Sequence, residues 1–288
     1  MELWLYERPI FSEEQGWSYR IKIKRTIESY RTQYQDLAVY ESVEFGKVLT
    51  LDGVVQLTEH DEPHYHEMLT HVPMLSHPNP ERVLIIGGGD GGIVREVLKH
   101  DSVKEVHFCE LDEEVVKASI RNFPQIACKL SDPRVKHIYA DGCAYTKQFK
   151  DYFDIVIVDS TDPVGPAEVL FSQAFFADIK TAMKDKGIFV NQAENFAYKA
   201  HFESVSRLFS FLPDLFPHRG YYYTIVPTYP AGIIGFTFLS KGTNPYDFAI
   251  DPNRIPEGLR YYTEELHRAS FAIPKFARDA WHTTNPKR

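Results

Sequence analysis

The stretch Val83-Leu-Ile-Ile-Gly87-Gly-Gly-Asp90-Gly-Gly92-Ile-Val-Arg-Glu-Val-Leu98 decides the fold of this 288-residue chain. Four consecutive apolar residues read as a short strand buried on both faces. The glycines supply a tight turn, and Ile93 to Leu98 has helical spacing. The unit then repeats. Val106-His-Phe-Cys109 runs into Glu110 and a helix opening at Asp112-Glu-Glu. Val135 to Ala140 ends at Asp141, Phe153 to Val158 at Asp159, and Gly187 to Val190 at Gln192. Strands alternating with helices predict a parallel α/β sheet of Rossmann-like type with right-handed crossovers. Ligands on such sheets bind beyond the carboxyl ends of the strands. Those ends are Asp90, Glu110, Asp141, Asp159 and Gln192, four of them acidic.

Outward from this core the pattern changes. Residues 1–62 read as a small antiparallel β-domain, and residues 63–288 as the α/β domain. Tyr19-Arg-Ile-Lys-Ile-Lys and Asp36-Leu-Ala-Val-Tyr-Glu-Ser-Val alternate, with turn chemistry at Phe45-Gly-Lys and Leu51-Asp-Gly. Tyr221 to Val226 and Gly235 to Leu239 predict a hairpin that closes the sheet, and the tail from Asn285 reads as disordered.

A hydrophobic content of 43% with 25% charged residues is ample for a core. The net charge of −8 and the lack of any basic run argue against nucleic acid and fit a cationic ligand. No window approaches the ~18 apolar residues of a membrane span. The start, MELWLYERPI, lacks the apolar core of a signal peptide, so a cytoplasmic location without membrane contact is expected. Cys109, Cys128 and Cys143 have neither disulfide-framework nor zinc spacing.

Gly87, Gly89 and Gly92 fit G-x-G-x-x-G, the dinucleotide-binding pattern. Asp90 argues against that reading. A carboxylate ~4 Å from a phosphate costs about 1 kcal/mol in water and several at lower dielectric. No Lys or Arg in the loop offsets it. A sulfonium ligand makes the same interaction favourable. Glu110 and Asp141 sit at adjacent strand ends, where a carboxylate can accept both ribose hydroxyls; helix capping is the competing role for each. Asp159-Ser-Thr-Asp162 leads a Pro/Gly-rich loop that can cover a site and turn two carboxylates inward. His66-Glu67 is followed by three residues before His71, which is not the H-E-x-x-H metal spacing. Packing and hydrogen bonding are expected of these histidines, and no metal. Tyr65, Tyr229 and Trp17 are candidate aromatic walls for a channel with a cationic occupant.

Taken together, Tyr34-Gln-Asp, Leu51-Asp-Gly-Val-Val-Gln56, Asp61-Glu62 with Tyr65-His-Glu-Met68, Gly87 to Gly92, Glu110-Leu-Asp112, Asp141-Gly142, Asp159 to Glu168 and Pro227-Thr-Tyr-Pro-Ala-Gly232 closely resemble the spermidine synthases. The resemblance covers residues 1–240. It implies an aminopropyltransferase with a methyltransferase-type sheet, a small N-terminal β-domain and a homodimeric or homotetrameric assembly. It implies decarboxylated S-adenosylmethionine as co-substrate, no further cofactor, and putrescine as acceptor. Gln35, Gly87, Asp90, Glu110, Asp141, Gly142 and Pro166 would face the nucleoside donor. Asp159 would be the base, assisted by Tyr65. His66, Asp90, Asp162, Gln192 and Tyr229 would face the amines. His66, Thr161 and Ala193-Glu-Asn195 depart from common family residues close to the acceptor end. Agmatine, cadaverine and spermidine therefore stay open as acceptors. A methyltransferase and a non-catalytic adenosyl-binding protein are the other readings.

Overall fold

The computed structural model describes residues 2–7, 16–160, 165–247 and 249–282, with the side chains at 165–167 outside that description. Five strands form an antiparallel sheet in chain order: β1 Leu3–Tyr6, β2 Arg20–Arg31, β3 Asp36–Ser42, β4 Lys47–Leu51 and β5 Val54–Thr58. The β4–β5 turn carries positive φ at both Asp52 (50°) and Gly53 (81°). That is the primed two-residue hairpin expected of Asp-Gly, whose twist matches the flanking strands.

Helix α1, Glu62–Ser76, follows directly. Pro63 at its first turn has no amide to leave unsatisfied. The helix is buried almost all round, polar residues included, because it packs on the larger sheet at the level of the site.

The larger sheet and its helices run β6 Arg82–Gly87, α2 Gly92–Val97, β7 Glu105–Glu110, α3 Glu113–Asn122, β8 Val135–Tyr139, α4 Gly142–Thr146, β9 Phe153–Asp159, α5 Gln173–Ala182, β10 Met183–Ala193, α6 Lys199–Leu215, β11 His218–Ile225 and β12 Ile233–Ser240. Two short helices, α7 Glu264–Ser270 and α8 Lys275–Trp281, end the described chain. The strand order is β11-β12-β10-β9-β6-β7-β8. From β10 to β8 all neighbours are parallel, and the predicted hairpin β11–β12 adds on antiparallel beside β10. From β6 the chain winds one way through β7 and β8, then crosses to β9 on the other side. This reversal opens a crevice between the carboxyl ends of β6 and β9.

The apolar runs behave as strands covered on both faces. Every residue from Phe153 to Val158 is buried, and residues 155–158 are fully so. Each such side chain contributes roughly 1.5–3 kcal/mol relative to exposure. Ile155 and Ile157 pack toward α1 and α2, while Phe153, Val156 and Val158 pack toward α5 and α6. The sheet is thereby the rigid floor of the crevice.

The carboxyl-end boundary of β10 differs from the sequence reading. Strand β10 continues through Gln192, which pairs with Phe236 of β12, and ends at Ala193. The polar residue stays in the ladder because β12 supplies its backbone partners. Ladder pairing is invisible to hydrophobic periodicity. Trp281 of α8 is buried against Phe202 and Phe209 and donates its indole N–H to Ser206 Oγ at 2.8 Å. The tail from Asn285 lies outside the described residues.

Candidate active site

A cavity of about 540 Å³ occupies the crevice, lined by the ends of β6, β7, β9 and β10, by α1 and by the N-terminal sheet. Gly87 closes β6 beside Asp159 in the parallel register, with φ +79°. A Cβ at Gly87 would lie 1.9 Å from the Asp159 carbonyl oxygen, so only glycine permits this approach. The glycine turn and the β9 carboxylate are thus held side by side by backbone geometry.

At one end of the cavity, Glu110 Oε1 accepts the Asp112 amide at 2.9 Å. Desolvation in the cavity wall is the main cause that pushes the Glu110 carboxyl up to about 7. Asp112 and Asp159 add like-charge repulsion, against the backbone amides of residues 111 and 112. Gly89 keeps room for this carboxylate, since its Cβ would stand 3.0 Å from Glu110 Oε2. Asp112 caps α3 through Glu114 N (3.1 Å), and its other oxygen accepts from Thr32 Oγ1 (2.7 Å) and Gln35 Nε2 (3.0 Å). Gln35 is therefore brought to the cavity by the turn between β2 and β3, on the other sheet. Asp141, at the exposed mouth, caps α4 by accepting the Cys143 amide at 2.9 Å, so it lines the cavity and caps a helix at once. A Cβ on Gly142 would come within 2.4 Å of Ile86 Cγ2.

At the centre, Tyr65 donates its phenol to Asp159 Oδ1 at 2.5 Å. Desolvation first, and the Asp90 carboxylate next, raise the Asp159 carboxyl to about 7, while Tyr65 pulls the other way. Burial, and then Asp159, hold the Tyr65 phenol well above its ordinary range, so it stays a donor. Asp90 Oδ1 accepts the Gly92 amide at 2.6 Å and faces His66 Nε2 at 3.2 Å. The other nitrogen of His66 faces Glu62 Oε2 at 2.7 Å, and Glu62 is bound by Arg95. Both ring nitrogens of His66 thus face carboxylates, and the residue lines the cavity beside Asp90.

The far end is formed by Gln192, Tyr229, Glu7, Glu194, Asn195 and His201. Tyr229 donates to the Gln56 carbonyl at 2.5 Å and sets its ring at an angle to Tyr65, 6.0 Å between centroids. Gln192 Oε1 is buried with no partner among the described residues. Glu194 and His201 pair at 2.6 Å, both buried. Glu7 and His201 escaped the sequence reading, and Glu194 entered it only as part of the Ala193-Glu-Asn195 departure near the acceptor end. Glu194 carried the one available signal, a carboxylate just past a strand end, but that strand end was placed too early. Trp17 does not line the cavity: it stacks on Tyr198 at 4.2 Å and meets Tyr19 edge-on. Asp162 and Thr161 lie outside the described residues, as does the side chain of Pro166, whose backbone is in a 3-10 helix. His71 packs between Glu96 and His100, and no metal-holding group of three ligands exists among the described residues.

Residues 62–248 match the family model described as spermine/spermidine synthase domain, and residues 7–59 match the one described as spermidine synthase tetramerisation domain. A polyamine aminopropyltransferase from Leptospira biflexa serovar Patoc is 51% identical over 278 residues, covering 96% of this chain and 98% of that protein. One from Caldicellulosiruptor bescii is 43% identical over 282 residues, covering 97% and 98%. Among solved structures, a spermidine synthase in complex with the transition-state analogue AdoDATO superposes with a TM-score of 0.91 at 38% identity, covering 98% of this chain and 96% of that one. Spermidine synthase from Thermotoga maritima gives 0.88 at 37% identity, covering 98% and 95%.

Proposed function

This chain belongs to the spermine/spermidine synthase family and is an aminopropyltransferase, and we propose that it moves the aminopropyl group of decarboxylated S-adenosylmethionine onto putrescine. The observation that carries this reading is the pair Asp90 and Asp159, set side by side at the switch point in a cavity whose glycine loop holds no cation. That end of the site suits a donor with an ammonium and a sulfonium. Ordinary S-adenosylmethionine would bring its own carboxylate against Asp90, so the decarboxylated form is the fitting co-substrate. Glu110 is positioned to accept the ribose hydroxyls, with Gln35, Asp141, Gly142 and Gly87 around the nucleoside. Gln192, Tyr229 and Glu194 suit a diamine at the far end, with Asp162 as a further ammonium partner.

The reaction is a displacement. The acceptor nitrogen's lone pair forms a bond to the carbon beside sulfur, the C–S bond breaks, and its electron pair goes to sulfur to leave a neutral thioether. The site's first contribution is alignment. Its second is the proton. An alkyl ammonium titrates near ~10.4, so freeing its lone pair at pH 7 costs about 4–5 kcal/mol. The neighbouring sulfonium and the desolvated site lower that pKa. Asp159, raised from 3.8 to about 7, closes the gap from the other side by about 4 kcal/mol. Tyr65 holds the carboxylate in line through its 2.5 Å bond. The protein is proposed to work in the cytoplasm as a homodimer or homotetramer, a reading supported by the tetramerisation domain and by the absence, among the described residues, of a helix able to cross a membrane.

Mass spectrometry of products formed from a panel of putrescine, cadaverine, agmatine and spermidine with the decarboxylated donor tests the acceptor. Putrescine should give the highest kcat/KM. Asp159→Asn should lower kcat by roughly 10²–10⁴-fold, the usual worth of a general base, with donor affinity kept. Turnover near the wild-type rate in that variant would reduce Asp159 to a structural acid.

A further inference from the structure

We propose that Glu62, held by Arg95, is a positioning residue that keeps His66 doubly protonated, so that His66 clamps the Asp90 carboxylate in one orientation for the donor's amino group. The proposal rests on the reading of Asp90 as the carboxylate that receives that amine. Its basis is geometric. His66 Nδ1 stands 2.7 Å from Glu62 Oε2 and Nε2 stands 3.2 Å from Asp90 Oδ1. A neutral imidazole has one N–H and one lone pair, so between two carboxylates it would set a lone pair against one of them. The imidazolium donates to Glu62 and sets positive charge 3.2 Å from Asp90 Oδ1. The ring cannot turn away, because it lies flat on Gly92, where a Cβ would sit 2.2–2.6 Å from three ring atoms. It is also only 2% exposed, so water cannot replace either partner.

Arg95 fixes the outer end of the relay, with two nitrogens on Glu62 at 2.7 and 3.2 Å. The charged groups around His66 are Glu62 on its own helix, Asp90 from the glycine loop and Asp159 from β9. Arg95 and Arg260 act on it through Glu62. Burial opposes the cation, yet Asp90 and Glu62 together hold the ring up to about 10. On Asp90 the Gly92 hydrogen bond and the His66 ion pair both fall on Oδ1, and no contact to Oδ2 occurs among the described residues. Loss of the clamp would free the carboxylate to rotate and weaken the grip on the donor, while leaving the acceptor end untouched.

Glu62→Gln, His66→Gln and the double variant test this in the intact enzyme, with histidine Cε1-labelled protein reporting the ring. The His66 resonance is the one lost in His66→Gln. In the wild type it should stay in the imidazolium position from pH 6 to 8.5, and in Glu62→Gln it should titrate within that range. Donor KM in Glu62→Gln should rise about tenfold at pH 8, the worth of one charge-assisted bond, and return toward wild type at pH 6. Acceptor KM should stay within about twofold. Because glutamine at 66 carries no titrating proton, adding Glu62→Gln to His66→Gln should cost no more than about twofold further. A neutral His66 in the wild type at pH 7.5, or the same tenfold loss in both backgrounds, overturns the proposal. If Glu62→Gln fails to fold, the wild-type titration still decides. A wild-type protein without aminopropyl transfer would remove the reading of the site, and the ring's titration would then decide the clamp alone.

Discussion

Glu110 offers a quantitative handle on the nucleoside end. Its carboxyl titrates near 7 in the ligand-free protein, mainly because it is desolvated in the cavity wall. Only the carboxylate can accept from both ribose hydroxyls, so affinity for the product nucleoside should follow the ionised fraction. With a midpoint of 7, that fraction is about nine tenths at pH 8 and about one tenth at pH 6. Affinity for methylthioadenosine should therefore fall about tenfold between those pH values, or about 1.4 kcal/mol. Binding at pH 7 should also release about half a proton as the site ionises. Calorimetry across pH and in buffers of different ionisation heat measures both. Glu110→Gln should bind weakly and with no pH slope, whereas Asp159→Asn should keep the slope, since the neutral thioether does not call on Asp159. Stability moves the opposite way. A folded-state pKa raised above the unfolded value gives stability that is complete below pH ~4.5 and is lost as pH rises through about 7. Glu110→Gln should therefore gain up to about 3 kcal/mol at pH 8 and little at pH 4.5. A flat wild-type affinity from pH 6 to 8, or an unchanged slope in Glu110→Gln, refutes the role given to this carboxylate.

Two other outcomes bear on neighbouring parts of the site. Tyr65→Phe removes the phenol that pulls the Asp159 carboxyl down, so the acid limb of kcat/KM for the acceptor should move to higher pH. Its rate loss should be largest below pH 7 and shrink toward pH 9; a pH-independent loss would give Tyr65 a packing role only. Gly142→Ala puts a methyl 2.4 Å from Ile86 Cγ2 at the rigid end of β6, which should cost roughly 1–3 kcal/mol of stability. The shift of α4 should also lower methylthioadenosine affinity, and thermal unfolding with calorimetry reads the two effects separately.

The sequence by itself determined the α/β class and where the chemistry collects. Four-residue apolar runs such as Val83 to Ile86 and Ile155 to Val158 need cover on both faces, and a parallel sheet with flanking helices provides it. Once those strands are placed, their carboxyl ends follow by counting, and Asp90, Glu110, Asp141 and Asp159 follow with them. The Asp52-Gly53 turn was equally legible, because two positive φ values are a local demand. Tertiary structure alone decided how those ends sit against one another. The order of strands puts β6 beside β9, and thereby Asp90 beside Asp159, though they are far apart in the chain. It also laid α1 across the site, which set His66 between Glu62 and Asp90. Trp17 went to a stack on Tyr198 outside the cavity, and Glu194 with His201 closed its far end. Nothing local fixes those partners. A buried ion pair or an aromatic stack is a relation between distant segments, and its position depends on how the two sheets pack, which spacing along one chain does not encode.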